Sequence, residues 1–245
     1  MNKSNVKVFI LLIIVFVIMF LLAYFFQEDR KLSKGLVVIN GYNTYEYKYR
    51  NWNKVSNYGI KWTKFNVYSN QTFVGKFSVN VNNNKYYFFD DKIKSYQIEY
   101  PYIAFGTDLK IKLKNYSEET YTSDDINLVS KYLEIKKNSY RGEYNVFKKY
   151  VADLNGDNKE DYIYIVSNQL YTDNYIYTIF AKVGSKFVDI SYLTKDDDYK
   201  AYDLAWILSV GNDKFYDIIL KDNSSERTRC YLLRYAKNKY NFIKR

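Results

Sequence analysis

Asp153, Asn155, Asp157 and Asp161 place oxygen-bearing side chains at positions 1, 3, 5 and 9 of one short loop, Asp-Leu-Asn-Gly-Asp-Asn-Lys-Glu-Asp. Alternate inward-pointing residues converge their oxygens, which suits a hard cation such as Ca²⁺ with its roughly six to eight oxygen ligands. The main-chain carbonyl of Lys159 falls at position 7 and completes the candidate ligand set. Gly156 and Asn158 supply backbone freedom between the ligands, and Asn visits left-handed conformations more readily than other non-glycine residues. The carboxylates of Asp153, Asp157 and Asp161 repel one another until a cation neutralises them, so the expected role is structural, the ion folding the loop as it binds. The same residue types also make an Asx-rich turn that binds nothing, because Asn, Asp and Gly dominate turns.

The loop, together with the strand-like run Tyr162-Ile-Tyr-Ile-Val166 behind it, resembles the calcium loops of FG-GAP/VCBS-type β-repeats within the wider DxDxDG group. An EF-hand of that group carries a bidentate Glu at position 12 and a helix on each side. Tyr164 stands at position 12 here and a strand pattern follows, which favours the β-repeat type. The resemblance covers this loop and its strand. It implies one structural calcium site, held by the side chains of Asp153, Asn155, Asp157 and Asp161 and by the Lys159 carbonyl.

Other chemistries are poorly supplied. Histidine is absent, which removes Ser-His-Asp triads, Cys-His dyads, HExxH zinc sites and imidazole bases together. Cys230 is the single cysteine, so no intrachain disulfide forms, and its strand-like surroundings suit a small buried residue better than a nucleophile. No nucleotide-binding glycine loop occurs. Glycosidase chemistry needs two carboxylates about 5–10 Å apart, and Glu143, Glu160, Asp196, Asp197, Asp198 and Asp203 are available without a recognisable signature. With 30 tyrosines the chain has aromatic surface to spare, and Trp52, Trp62 and Trp206 are candidates either for sugar- or protein-binding platforms or for ordinary β-core packing.

Residues 8–26 form an unbroken apolar run, close to the roughly 20 residues that cross a hydrocarbon core. Lys3 and Lys7 precede it and no small-residue cleavage site or lipobox cysteine follows, which points to an uncleaved signal anchor. Residues 1–7 are then a cytoplasmic tail, and residues 27–245 lie outside, since long domains are translocated largely regardless of charge. Abundant extracellular Ca²⁺ suits a weak loop. The net charge of +10 is spread among Tyr and Asn without a basic block, so the partners expected are the membrane and a glycan or surface protein, and nucleic acid is not among them. The Lys-, Asn-, Tyr- and Ile-rich composition is that of an AT-rich coding sequence, such as a low-GC bacterium has.

These residues need a scaffold, and the pattern predicts a mainly β one: the N-terminal transmembrane helix, a small antiparallel β-domain, one connecting helix, and C-terminal propeller-blade-like β-repeats. After a polar stem at 27–35, short Tyr-, Phe-, Val- and Thr-rich segments alternate with Asn and Gly up to about residue 114. Ser123, Asp124 and Asp125 start a helix over 123–136, with Ile126, Val129, Tyr132 and Leu133 at helical spacing. Residues 136–142 read as a linker, and the division falls between an N-terminal domain of 36–137 and a C-terminal domain of 143–245; one continuous β-domain with a packed helix is the alternative. Within the C-terminal half, Asp157 to Asp161 and the strand behind it overlay Asp213 to Asp217 and Ile218-Ile-Leu220, a repeat of about 55 residues. Ser209 and Gly211 replace two ligands in the second copy, which predicts a metal-free turn there. The function expected is a membrane-anchored binding or envelope-interaction module braced by calcium. A cell-surface glycan hydrolase using the same brace is the alternative.

Overall fold

A computed structural model describes residues 13–19, 35–40, 43–55, 63–82, 85–90, 95–99, 101–136, 144–169, 175–190, 202–211, 213–222 and 229–243. The chain is mainly β, in two sheets. Residues 13–19 are a short helix, α1, whose seven apolar side chains from Ile13 to Met19 are all exposed. Among the described residues no helix is long and apolar enough to cross a membrane. The rest of the run 8–26, the stem 27–34 and residues 137–142 of the linker lie outside them.

The first sheet holds β1 (Leu36–Ile39), β2 (Asn43–Lys48), β3 (Asn51–Val55), β4 (Thr63–Ser69), β5 (Thr72–Asn82), β6 (Lys85–Phe89), β7 (Ser95–Tyr96) and β8 (Tyr102–Gly106), in the order β3-β2-β1-β8-β4-β5-β6-β7. The second holds β9 (Ile111–Lys114), β10 (Ser117–Glu119), β11 (Tyr144–Ala152), β12 (Asp161–Gln169), β13 (Tyr175–Val183), β14 (Lys186–Ile190), β15 (Tyr202–Val210), β16 (Asp217–Asp222), β17 (Arg229–Ala236) and β18 (Lys239–Phe242). The chain therefore changes sheets at residues 107–110, ahead of the second helix, α2 (Ser123–Ile135).

The internal repeat is two antiparallel meanders, β11 to β14 and β15 to β18. Propeller blades pack face to face, and that is not how these join. β14 and β18 pair in parallel, so the two meanders form one ten-stranded sheet. Two blades are too few to close a ring, and pairing the last edge of each removes two exposed strand edges.

This sheet curls around a core to which both meanders contribute, including Ile163, Ile165, Ile218, Leu220 and Tyr240. Its outer face is covered twice. Helix α2 lays Val129, Tyr132 and Leu133 over Tyr164, Val166 and Phe180. The first sheet lays Val37, Ile39, Tyr45 and Trp52 over Trp206, Leu208, Ile219 and Leu232. Strands buried on both faces read as unbroken apolar runs, which accounts for Ile163-Tyr-Ile-Val166 and Ile218-Ile-Leu220. A third core, including Val38, Phe65, Phe77 and Phe88, fills the other side of the first sheet.

Helix α2 is capped by Thr122, one residue before the expected Ser123. Thr122 accepts from the Asp125 N–H while the Asp125 carboxylate accepts from the Thr122 N–H, a reciprocal capping box. Asp125 also accepts from the Tyr164 hydroxyl at 2.6 Å and from Lys149 at 3.2 Å, which fastens the helix start to the sheet. Ile126, expected in the apolar stripe, is 37% exposed.

Candidate functional site

The nine-residue loop joins β11 to β12 as the first turn of the first meander. Leu154 faces inward and is completely buried in the shared core, so the loop is pinned by its second residue. Gly156 (φ 75°) and Asn158 (φ 63°) both take the left-handed conformation, as the sequence pattern anticipates.

Asp153 organises the turn. Its Oδ1 accepts from the N–H groups of Asn155, Gly156 and Asp157, and its Oδ2 from that of Asn158. The ammonium of Lys114, from the end of β9, sits 2.9 Å from the same Oδ2. Burial by itself would raise the Asp153 carboxyl, but Lys114 and these N–H groups outweigh it and hold the carboxyl below its ordinary range. Asn155 accepts from the Asp157 N–H, and Asp157 accepts from the Lys159 N–H and the Asn155 amide.

Asp161 is different: it is 1% exposed. Its Oδ2 accepts from the Leu154 N–H at 3.0 Å and its Oδ1 from the Gly184 N–H at 2.9 Å, tying this turn to the β13–β14 turn. Burial raises its carboxyl, the two N–H groups oppose that, and the charges of Asp157 and Asp153 add to it.

The donor set is oxygen throughout and suits a hard cation in chemical type. Its arrangement here is held by backbone N–H groups and by Lys114. Among the described residues no three His, Cys, Asp or Glu side chains converge on a point that would hold a metal ion. Beside the loop an open cleft of about 510 Å³ lies between residues 114–117 and 158–160.

The corresponding acids of the second meander meet a different cation. Arg234 of β17 places Nη2 at 3.1 Å from Asp213 and Nη1 at 3.0 Å from Asp217. The Trp52 indole donates to Asp217 at 2.7 Å, and the Tyr47 hydroxyl to Asp213 at 2.7 Å, both reaching across from the first sheet. Asp217 is almost fully buried. Burial pushes its carboxyl up to about 6, with Arg234, Trp52 and the Tyr235 N–H opposing and Asp213 adding to the rise.

Other candidates take ordinary places. Trp52 and Trp206 are 2% and 1% exposed and belong to the core between the sheets. Cys230 is buried, accepts from the Asn40 amide, and has its thiol pushed up to about 12 by burial. Asp203 pairs with Lys148 and, at 3.6 Å, with Lys221. Glu160 is exposed and accepts from Tyr162. Glu143, Trp62 and Asp196 to Asp198 lie outside the described residues. Sequence reasoning missed Lys114 and Arg234, which come from strands that carry no local sign of a loop partner. In the structure Arg234 follows Leu233, the partner of Ile218 next to Asp217, a register that only the strand pairing reveals.

Comparison with protein-family models, with curated proteins and with solved structures returns no match. The FG-GAP/VCBS resemblance therefore rests on the loop and its strand.

Proposed function

We propose that the chain is a single-pass membrane-anchored protein whose extracytoplasmic β-rich part is a binding or envelope-interaction module with a structural calcium site at residues 153–161. The observation that carries the ion reading is the crowding of carboxylates in one turn, where burial first, and then the charges of Asp157 and Asp153, raise the carboxyl of Asp161. Ca²⁺ supplies the positive charge that relieves it, held by the Asp153, Asn155, Asp157 and Asp161 side chains and the Lys159 carbonyl. Lys114 competes for Asp153. The result is a stiffer turn over the shared core, with Leu154 as its plug, and no turnover.

The anchor reading is supported by α1, whose apolar side chains are exposed all round, as expected where lipid is the solvent. A glycan or surface protein is the partner class. Tyr87, Tyr96 and Tyr121, exposed by 40 to 45%, replace the buried tryptophans as aromatic platforms.

The test is a thermal melt of the full chain in lipid nanodiscs, with Ca²⁺ and with chelator, beside Asp157→Ala. Ca²⁺ at about 100 times its Kd adds about 2.7 kcal/mol and raises the midpoint by about 5–11 °C. Asp157→Ala abolishes the rise. A chain whose midpoint ignores Ca²⁺ has only a turn here.

A further inference from the structure

The described chain enters the first sheet at Gly35, which donates to Asp108 and accepts from the Tyr47 N–H. Leu36 pairs with Glu46, so β2 runs on past Gly35 toward the side from which the polypeptide arrives. Its turn to β3, Tyr49-Arg50, is the point of that hairpin lying farthest in this direction. Both residues hold positive φ, 52° and 58°, which is uncommon for side chains of this kind. Tyr49 is 90% exposed, with the Lys48 ammonium 5.2 Å from its ring centroid.

A second tip emerges at the same end. Cys230 meets Asn40 and Asn43, while Arg234 meets Tyr47, so β17 runs in the same sense as β2. Its turn, Lys237-Asn238, also has positive φ, at 53° and 61°. Lys48, Arg50, Lys110, Lys214, Lys237 and Lys239 are all exposed around this end. Of the acids at this end, Asp213 pairs with Arg234 and Asp153 with Lys114, and Asp108 accepts from the Gly35 N–H, while Asp157 and Glu160 of the loop beside Lys214 are exposed, so six exposed cations stand against few free acids.

We propose that this end of the molecule, with Tyr49 and Arg50 at its tip, rests on the anionic surface of the bilayer that anchors the chain. The proposal rests on the anchor reading of residues 8–26. Between that run and β1 lie only residues 27–35, which span at most about 30 Å fully extended, so the end that bears Gly35 is the one held near lipid. An exposed Tyr flanked by basic residues suits that boundary: the ring sits at headgroup depth and the cations meet anionic lipid. Positive φ at both residues is the backbone that a two-residue hairpin loop requires, and it thrusts the Tyr49 and Arg50 side chains out at the tip.

The experiment uses the full chain carrying Tyr49→Cys, labelled with a polarity-sensitive dye, in nanodiscs of phosphatidylcholine alone or mixed with phosphatidylglycerol. Cys230 is buried and stays unlabelled. Gln71→Cys, in the β4–β5 turn at the opposite end of the first sheet, is the reference. The dye at position 49 is expected to shift to the blue in anionic nanodiscs only, and the shift to collapse in about 0.5 M salt. Removing charge with Lys48→Gln and Arg50→Gln lowers the lipid-contacting population about fivefold per cation. The dye at position 71 reports water throughout. Equal emission at the two positions, or a shift indifferent to lipid charge, overturns the proposal. Flotation with vesicles reports the anchor separately. A chain that floats but keeps the dye at position 49 in water loses only this inference, and one that does not float loses both.

Discussion

Replacing Arg234 by Met keeps much of the side-chain length and removes the guanidinium shared by Asp213 and Asp217. The Asp217 side chain is 4% exposed and that of Asp213 23%, so both carboxylates lose their counter-ion while remaining under the first sheet. Removing one partner of a buried pair costs about 3–5 kcal/mol, and the partial exposure of Asp213 puts the loss at the lower end, about 3 kcal/mol. That lowers the melting midpoint by about 6–12 °C for a chain of this size. A second signature comes from pH. Asp217 sits at about 6 against an ordinary 3.8, chiefly through burial. A carboxyl held higher in the folded chain than in the unfolded one stabilises fully below about pH 4, and the contribution is lost as pH rises through about 6. The whole span is worth about 3 kcal/mol. Without Arg234 the Asp217 carboxyl rises further, so the penalty of Arg234→Met is greatest near about pH 8 and shrinks near about pH 5 as Asp217 takes up a proton. Denaturant melts followed by tryptophan fluorescence at both pH values measure this directly, because the Trp52 indole donates to Asp217. Adding Asp213→Asn and Asp217→Asn to Arg234→Met recovers most of the loss, since no unpaired charge is then buried. A penalty below about 1 kcal/mol at the higher pH, or one that ignores pH, refutes the argument that the pair is charged and desolvated.

Asp161→Ala leaves the Leu154 and Gly184 N–H groups without their acceptor, and lowers stability by about 2–5 kcal/mol even in chelator. Exposed Asp157→Ala costs less than about 1 kcal/mol under the same conditions, and a denaturation series on the two variants tests the contrast. Lys114→Met frees Asp153 from its ammonium, and calorimetric titration should show Ca²⁺ binding about fivefold tighter, equivalent to about 1 kcal/mol. Unchanged affinity would mean that Lys114 does not compete. Thr122→Ala removes the α2 cap and costs about 1 kcal/mol in the same melts.

Much of the fold was legible because local rules are strong where the chain is regular. Tyr162–Val166 and Ile218–Leu220, the apolar runs behind the two acidic turns, are both strands. The α2 helix was legible from Val129, Tyr132 and Leu133 and starts at Ser123 as expected, while its cap is Thr122 and not Ser123, because both residue types can cap and the reciprocal bond with Asp125 favours Thr122. The left-handed Asn158 followed from residue type. What the pattern did not show was that β9 and β10 leave the first sheet, or that the repeats join by edges, since hydrogen-bonding partners far apart in sequence leave no periodic trace.

The sequence by itself determined the segments, the repeat and the oxygen-rich loop, because turn chemistry, hydrophobic alternation and residue spacing act within a few residues of chain. Only the tertiary structure decided which charges meet. Lys114 reaches Asp153 across 39 residues, and Trp52 and Tyr47 reach Asp217 and Asp213 across more than 160. The reason is physical: burial removes water from these carboxylates, and a desolvated charge must be answered by whichever cation or N–H the packed sheets bring within hydrogen-bonding distance, wherever it lies in the chain.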